Sequence, residues 1–407
     1  MAMNLGFEYN NEKRIKSGIK YAISKATANG HCAVLEDELY RFIKVLLGVE
    51  NDEIEDSVIE LKAKGEIVIE EREDNNWIYL DSYYKAEENV ANKLITLDKA
   101  RNMKHINDFE DELEKIEQKT DLILSDKQKE AIEAVNDKNV CIITGGPGTG
   151  KTTIIKVILE LYKSKKRKTV LCAPTGRAAK RMTETTGEEA KTLHRLLEIG
   201  KIEEERTSKY NDFDVAPLDA DVIIVDEMSM VDLFLMNYLV KAIYQGSKLV
   251  LVGDVDQLPS VGPGNVLADL INSKRIKTIV LNKIFRQAAK SKIIINSHRV
   301  NSGETFIKPQ ESAEELNQDF FYIKENNQDK ILNQILSLCS GRLESYGNYE
   351  FFKSIQVITQ TKKGMLGTKE LNKVLQECLN PLPEGGLERQ NLGASFRAGD
   401  RVMQIKN

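Results

Sequence analysis

VCIITGGPGTGKTT, residues 140–153, is the stretch that decides the fold. Its apolar first part predicts a strand, Val140–Thr144, and a helical pattern begins at Thr152. The loop between them has the form GxxxxGK(S/T), whose glycines let backbone N–H groups converge on phosphates at the positive end of a helix. An ordinary glycine-rich turn is the alternative, and the presence of both Lys151 and Thr152 weighs against it. The predicted nucleotide contacts are Gly146, Pro147, Gly148, Thr149, Gly150, Lys151, Thr152 and Thr153.

The chemistry expected of this loop is the binding of Mg·ATP. Lys151 would reach the β- and γ-phosphates, and the Thr152 hydroxyl would ligate Mg²⁺. Asp226 and Glu227 follow a second apolar run, Val222–Val225. Asp226 is expected to hold Mg²⁺, usually through water, and Glu227 to orient and deprotonate the attacking water. The alternative for this acidic pair is a strand that simply ends in a polar turn.

A third apolar run, Lys248–Val252, leads to Gln257. A glutamine amide at this place can hydrogen-bond both the γ-phosphate and the attacking water, and so sense whether the phosphate is still bound. A small-molecule kinase with the same phosphate loop has no need of such a sensor. The glutamine therefore favours a nucleotide-driven motor over a kinase.

Short β-branched runs alternate with amphipathic helical patterns from about residue 121, which predicts an α/β fold with a parallel sheet and helices on both faces. The predicted strands are Val140–Thr144, Thr169–Ala173, Val222–Val225, Lys248–Val252 and Thr278–Leu281, with a further run at Ile355–Thr359.

The first 81 residues predict a separate α+β unit of three helices and a β-hairpin, which is the order of a winged helix. Its third helix, Asn51–Lys64, carries five acidic residues against two lysines. That balance favours a structural or docking role over reading a DNA groove. Residues 82–120 predict a helical connector that packs by one apolar face.

The composition of the chain limits the classes of protein to which it can belong. The 407 residues carry a net charge of −5, so a nucleic acid would have to be held in a local groove rather than by bulk charge. The apolar runs are too short to cross a membrane, no signal peptide is visible, and the five cysteines show no metal-type spacing. These features predict a cytoplasmic protein.

Four motifs together resemble superfamily-one helicases of the RecD type, related to the exodeoxyribonuclease V alpha chain. They are residues 145–153, 226–230, 253–259 and 285–287, and the resemblance extends over about residues 11–407. It implies RecA-like P-loop motor domains, the first at 121–276 and an incomplete second at 277–407. It also implies a DNA-dependent ATPase that moves 5′→3′ along single-stranded DNA in repair or recombination, with an exonuclease or repair subunit as a partner.

The resemblance assigns further roles residue by residue. Gln128 corresponds to the glutamine that recognises adenine, and Arg286 to an arginine that reaches the γ-phosphate; a surface arginine is the alternative. The implied nucleic-acid contacts are Pro174, Thr175, Arg177, His194, Thr359, Lys362 and Lys363. Gln360 stands where the family has proline. Residues 198–218 correspond to an insertion that is either a strand-separating pin or a solvated loop.

The family's last two motor motifs would follow Asn407, so the resemblance predicts that residues 1–407 alone bind nucleotide but hydrolyse it poorly. A different function remains open: a nucleotide-dependent interaction module, in which the N-terminal unit docks a partner and ATP sets its conformation. A small-molecule kinase is a third reading, disfavoured by Gln257, the acidic pair and Arg286.

Overall fold

The computed structural model describes residues 6, 8–199, 215–283, 291–308, 319–347, 349–391 and 393–402. The chain divides into two compact units, Met1–Ile307 and Lys308–Asn407. Each unit has its own buried apolar clusters.

The N-terminal part of the first unit contains the three helices and the hairpin that the sequence predicts. Its antiparallel sheet has the order β1-β3-β2, and its core is formed mainly by isoleucine and leucine side chains. The hairpin turns at Glu73 and Asp74, which both have positive φ, as a tight two-residue turn requires. The winged-helix assignment itself stays a prediction. The elements are α1 (Glu12–Thr27), β1 (Ala33–Leu35), α2 (Glu36–Leu47), α3 (Asn51–Ala63), β2 (Ile67–Arg72) and β3 (Asn75–Leu80).

Two connector helices, α4 (Asp81–Lys99) and α5 (Phe109–Thr120), cover opposite faces of the central sheet. The apolar side of α4 packs in one cluster with the strand residues Ile142 and Leu251. The apolar side of α5 packs with their neighbours on the other face of the same strands, such as Ile143. Each of the two helices thus packs by its apolar side, on a different face of the sheet, and the role of the segment as a connector stays a prediction.

The central sheet has six strands, all paired in parallel, in the order β6-β5-β7-β8-β4-β9. The five strands predicted from β-branched runs are present, and the short β6 is an addition that its polar sequence concealed. Since β9 pairs with β4, the sheet continues past residue 276, where the sequence placed the end of the first motor domain. The strands are β4 (Val140–Gly145), β5 (Thr169–Ala173), β6 (Ala190–Thr192), β7 (Val222–Val225), β8 (Lys248–Gly253) and β9 (Lys277–Leu281).

Helices lie on both sides of this sheet, as the alternating pattern predicts. A 3₁₀ turn at Met228–Met230 follows β7. Lys248, at the start of β8, is 1% exposed, and its ammonium donates to the carbonyls of Asn136 and Lys138 at the end of α6, at 2.9 and 2.8 Å. The helices are α6 (Asp126–Asp137), α7 (Lys151–Ser164), α8 (Gly176–Thr186), α9 (Leu193–Leu196), α10 (Leu233–Ala242), α11 (Val266–Asn272) and α12 (Lys292–Asn301).

The second unit is smaller and mostly helical in its described part. A π-helical turn, Leu338–Arg342, joins two of its helices, and β10 and β11 form an antiparallel hairpin. The elements are α13 (Gln328–Ser337), α14 (Leu343–Gly347), α15 (Phe351–Ser354), α16 (Thr368–Leu379), β10 (Glu388–Asn391) and β11 (Ala394–Arg397).

The predicted strand Ile355–Thr359 is not a strand in the structure. Ile355 and Val357 pack against the small core of the second unit, while Ile358 is 88% exposed, so the run is alternating and half-buried. A strand also needs a neighbour for its backbone groups. In the described part of this unit, β10 and β11 pair only with each other.

Among the helices of the described residues, none combines the length and the apolarity needed to cross a bilayer.

Candidate functional site

The strand order brings three motifs to one edge of the sheet. β7, β8 and β4 are neighbours and run parallel, so their carboxyl ends lie side by side. Asp226 and Glu227, here called the acidic pair, follow β7, and the glutamine loop, Asp254–Gly264, follows β8. The phosphate loop, Gly145–Thr152, begins at the end of β4. A cleft at the carboxyl ends of strands is where open α/β sheets bind ligands.

The phosphate loop is a tight turn that leads directly into α7. Gly148 and Gly150 have φ of 74° and 86°, a region that side chains other than glycine rarely adopt. The Thr149 hydroxyl donates to the carbonyl of Gly146 at 2.8 Å. The Lys151 ammonium donates to the carbonyls of Gly145 and Gly146, the latter at 3.1 Å. The lysine side chain therefore turns back onto the first residues of the loop.

Lys151 shares its surroundings with three carboxylates. Burial lowers the pKa of the Lys151 ammonium, and the charges of Asp254, Asp226 and Glu227 oppose that shift. Burial raises the pKa of Asp226, against the opposing effect of the Glu227 N–H and the Lys151 charge. The pKa of Glu227 is also raised, first by burial and then by the charge of Asp226. These four groups form one electrostatic cluster.

Two members of this neighbourhood were not singled out from the sequence. Asp254 is 3% exposed at the end of β8, and it belongs to the turn that the sequence analysis valued for Gln257. Arg181, on α8, acts by its charge on Lys151, Asp226 and Glu227 alike. Asp254 could have been predicted as a site residue because it directly follows an apolar strand. Nothing in the local sequence marks Arg181.

The backbone at Glu227 is held in an uncommon conformation. Its φ is 55°, in the left-handed region, which costs a residue other than glycine on the order of 1 kcal/mol. Its N–H donates to Oδ1 of Asp226 at 2.9 Å, and the N–H of Asp226 donates to the carbonyl of Cys172 at 3.0 Å. Such conformations persist where the surroundings fix them. The two hydrogen bonds here set the direction in which the acidic pair points.

Gln257 lies on the surface of the glutamine loop and turns toward the cluster. Its Nε2 is 3.4 Å from Oδ2 of Asp254, and its backbone N–H donates to the Asp254 carbonyl at 3.2 Å. The N–H of Asp256 donates to Oδ1 of Asp254 at 3.1 Å. The N–H of Val255 donates to the hydroxyl of Thr144 on β4 at 3.3 Å. Gln257 is thus placed through Asp254, although its role as a sensor stays a prediction.

Gln128 has a local partner that the sequence analysis missed. It is 2% exposed, and its Oε1 accepts from the N–H of Ser125 at 3.0 Å. Together with the Ser125 side chain this forms a capping box at the start of α6, which the sequence signals by Ser125 and Gln128 three residues apart. Adenine recognition by Gln128 stays a prediction.

The predicted nucleic-acid residues of the first unit follow β5 and β6, at the same edge of the sheet. The Thr175 hydroxyl caps α8 by accepting from the N–H of Ala178 at 3.3 Å, and Arg177 is exposed on the first turn. His194 is exposed on α9, directly after β6. Pro174 is half-buried between β5 and α8.

The other predicted contacts lie elsewhere in the chain. In the second unit, the Thr359 hydroxyl donates to the carbonyl of Leu366 at 2.6 Å, which closes a loop carrying the exposed Lys362 and Lys363. Arg286 lies outside the described residues, and so do residues 200–214 of the predicted insertion.

The side chains available for Mg²⁺ suit that ion. Magnesium is typically bound by one or two protein oxygens together with substrate phosphates and water. Thr152 at the start of α7 and the half-buried carboxylate of Asp226 could supply such oxygens. No group of three or more His, Cys, Asp or Glu side chains suited to a metal occurs within the described ranges, so a protein-only metal cage is not formed by them.

Comparison with known proteins finds a family model, sequence relatives and a solved structure that this chain is similar to. A family model described as an AAA domain matches residues 128–263. The ATP-dependent RecD2 DNA helicase of Deinococcus radiodurans is 37% identical over 284 residues, which cover 70% of this chain and 36% of the relative. The RecBCD enzyme subunit RecD of Mycobacterium tuberculosis is 35% identical over 227 residues, 50% of this chain and 37% of the relative. A solved structure of the Pif1 helicase from Candida albicans aligns over 55% of each chain with a TM-score of 0.36 and 21% identity.

The matches to RecD proteins confirm the predicted resemblance to RecD-like superfamily-one helicases. The AAA match spans the phosphate loop, the acidic pair and Gln257. The chain spans little more than a third of the length of the two RecD relatives.

Replacing Glu227 by glutamine should stabilise the chain at neutral pH. The pKa of Glu227 is raised above its ordinary value of 4.5, so its charged form lowers the free energy of unfolding above that pH. We therefore expect Glu227→Gln to unfold at higher urea than the wild type at pH 7.5, with a smaller difference at pH 5. Glu133→Gln, at an exposed position on α6, is the control. A Glu227→Gln difference that is equal at both pH values would contradict the burial of this carboxylate.

Proposed function

We propose that this RecD-like chain belongs to a DNA-dependent ATPase that couples ATP hydrolysis to movement along single-stranded DNA. The observation that carries the proposal is the cluster of Lys151, Asp226, Glu227 and Asp254 beside the phosphate loop. A phosphate-binding turn, a carboxylate that can hold a metal ion and a second carboxylate form the set that phosphoryl transfer to water requires.

Each residue of the cluster has a distinct task in this proposal. Lys151 and the backbone N–H groups of the phosphate loop bind the phosphates and offset their charge. Thr152 and Asp226 would hold Mg²⁺, which neutralises charge on the phosphate oxygens. Glu227, with its raised pKa, orients the attacking water and accepts its proton. Gln257 and Arg286 are proposed to sense the γ-phosphate, and Gln128 to recognise adenine.

DNA is proposed to lie across the ends of β5 and β6. Arg177 and His194 are exposed there, and α8 and α9 begin with threonine caps at Thr175 and Thr192. β5 is the neighbour of β7, which carries the acidic pair, so a change at the nucleotide can reach this surface across one strand. Pro174 and the loop of Thr359, Lys362 and Lys363 are proposed as further contacts.

The biological setting is proposed from the relatives alone. Movement in the 5′→3′ direction, a role in repair or recombination, and partner subunits follow from the resemblance to RecD proteins. One relative is named as a subunit of the RecBCD enzyme and another as an ATP-dependent DNA helicase. A nucleotide-dependent interaction module is the competing function, and it predicts ATP binding without any response to DNA.

Hydrolysis should depend on the cluster and on DNA. In the intact motor to which this chain is proposed to belong, we expect single-stranded DNA to stimulate ATP turnover, Lys151→Ala to abolish nucleotide binding, and Glu227→Gln to keep binding while turnover falls at least about 100-fold. Lys156→Ala, on the exposed side of α7, is the matched control and should behave as wild type. The measurement is steady-state phosphate release with and without an oligonucleotide. Equal rates in both conditions would favour the interaction module, and normal turnover in Glu227→Gln would remove Glu227 from its role.

DNA binding should depend on the exposed side chains after β5 and β6. We expect Arg177→Ala to weaken binding of a single-stranded oligonucleotide about 10-fold and to reduce the slope of log affinity against log salt by about 0.7, because one phosphate contact is lost. His194→Ala should weaken binding without that change of slope. Fluorescence anisotropy over a salt series measures both quantities. Lys62→Ala in α3 is the control, and a larger effect there would place DNA on the N-terminal unit instead.

A further inference from the structure

A histidine that no motif marked lies against the phosphate loop. His298 is on α12, and its ring is so close to Gly146 that a β-carbon there would lie 2.5 Å from its Cε1 and 3.2 Å from its Nε2. Glycine is thus needed at residue 146 for this side chain to approach. The contact lies within the first unit, Met1–Ile307.

The Nε2 atom of His298 is shielded from solvent and has no hydrogen-bond partner among the described residues. A neutral imidazole has one nitrogen that donates and one that accepts, and leaving either without a partner in a buried place is unfavourable. Buried polar atoms without partners are few in proteins, and a bound ligand is one of their common explanations. His298 lies against the phosphate loop, so a bound phosphate is the ligand to expect near its Nε2 atom.

Residues on both sides of His298 hold its helix in place. Asn296, 4% exposed and two residues earlier on α12, forms two hydrogen bonds with the backbone of Ile307, at 3.1 and 2.7 Å. Arg299, the residue after the histidine, donates from Nε to the carbonyl of Thr305 at 2.9 Å. These bonds on both sides of His298 hold the end of α12 to the segment that follows it.

The part of the phosphate loop beside His298 is the part that is expected to face the terminal phosphate of a nucleotide. In GxxxxGK(S/T) loops the lysine serves the β- and γ-phosphates. The Lys151 ammonium donates to the carbonyls of Gly145 and Gly146, and Gly146 is the residue that the histidine ring approaches. A side chain at this end meets the third phosphate of a nucleotide rather than its base or sugar.

We propose that His298 donates a hydrogen bond from Nε2 to a terminal phosphate oxygen and thereby makes the site prefer a nucleoside triphosphate over a diphosphate. The inference rests on the proposed function, since it requires nucleotide on the phosphate loop. It adds a residue from α12 to the cluster, in a segment that lies beyond the AAA match at 128–263. Loss of the terminal phosphate then removes the partner of Nε2, which weakens the contact of α12 with the nucleotide.

Titration calorimetry with a non-hydrolysable ATP analogue and with ADP, both with Mg²⁺, tests this. We expect His298→Ala to weaken the analogue about 10-fold, as a lost hydrogen bond to a charged group does, and to change ADP affinity less than about 2-fold. His298→Gln should recover most of the loss, because its amide can donate from a similar place. Ser297→Ala, exposed on the same helix, is the matched control and should bind both nucleotides as wild type does.

The outcomes separate the two claims. A wild-type chain that binds neither nucleotide overturns the proposed function. A wild-type chain that binds both, with a His298→Ala variant that binds the analogue normally or loses equal affinity for both, overturns the inference alone. A selective loss for the analogue in His298→Ala, with recovery in His298→Gln, supports it, because a purely structural role would affect both nucleotides.

Discussion

Placing one lysine and three carboxylates side by side, where they are buried or half-buried, is the constraint on which the rest of this structure depends. Burial shifts the pKa values of Lys151, Asp226 and Glu227 in the direction that disfavours their charged forms. One ammonium does not balance three carboxylates, and Arg181 is the further cation that acts on the cluster. The divalent cation proposed to lie between the acidic side and a phosphate would supply further positive charge.

The surrounding fold keeps these groups together. Parallel pairing of β7, β8 and β4 fixes which strand ends are neighbours, and connector helices α4 and α5 seal the two faces of the sheet. The N-terminal part also holds the glutamine loop, since the N–H of Gly264 donates to the carbonyl of Gly30 at 3.0 Å. Tyr83 of α4 packs edge-on against Phe234 of α10, with ring centroids 4.8 Å apart. The end of the loop that carries Gln257 is thus bonded to the N-terminal part of the chain.

Much of the first unit could be predicted because its signals are local. A buried parallel strand is a continuous apolar run, and five such runs are strands in the structure. β6 escaped prediction because an edge strand of three residues, Ala190–Thr192, carries no such run. Ile355–Thr359 has the composition of a strand, but pairing depends on a neighbour, which composition does not reveal. Asp254, the first carboxylate of the glutamine loop, lies within the motif at residues 253–259, but the motif does not reveal that this side chain is buried beside Lys151.

Residues that act from a distance were harder to predict. Gln128 has a predicted role in adenine recognition and an observed role in helix capping. Only the capping role can be predicted from the neighbouring residues. Arg181 and His298 reach the site from α8 and α12 by tertiary packing, so no spacing along the chain marks them. Sequence motifs predict the site residues at the strand ends. The residues that reach the site from α8 and α12 depend on how those helices pack, which the sequence does not show.

The central claim is that the phosphate loop, the acidic pair and the glutamine loop serve one triphosphate and its metal ion. A crystal structure of this chain with Mg²⁺ and a non-hydrolysable ATP analogue tests it most directly. The account predicts the triphosphate on the backbone of Gly146–Thr152, the metal between Thr152 and Asp226, and Glu227 facing the terminal phosphorus. A nucleotide bound away from this loop, or a metal held by other side chains, would contradict it.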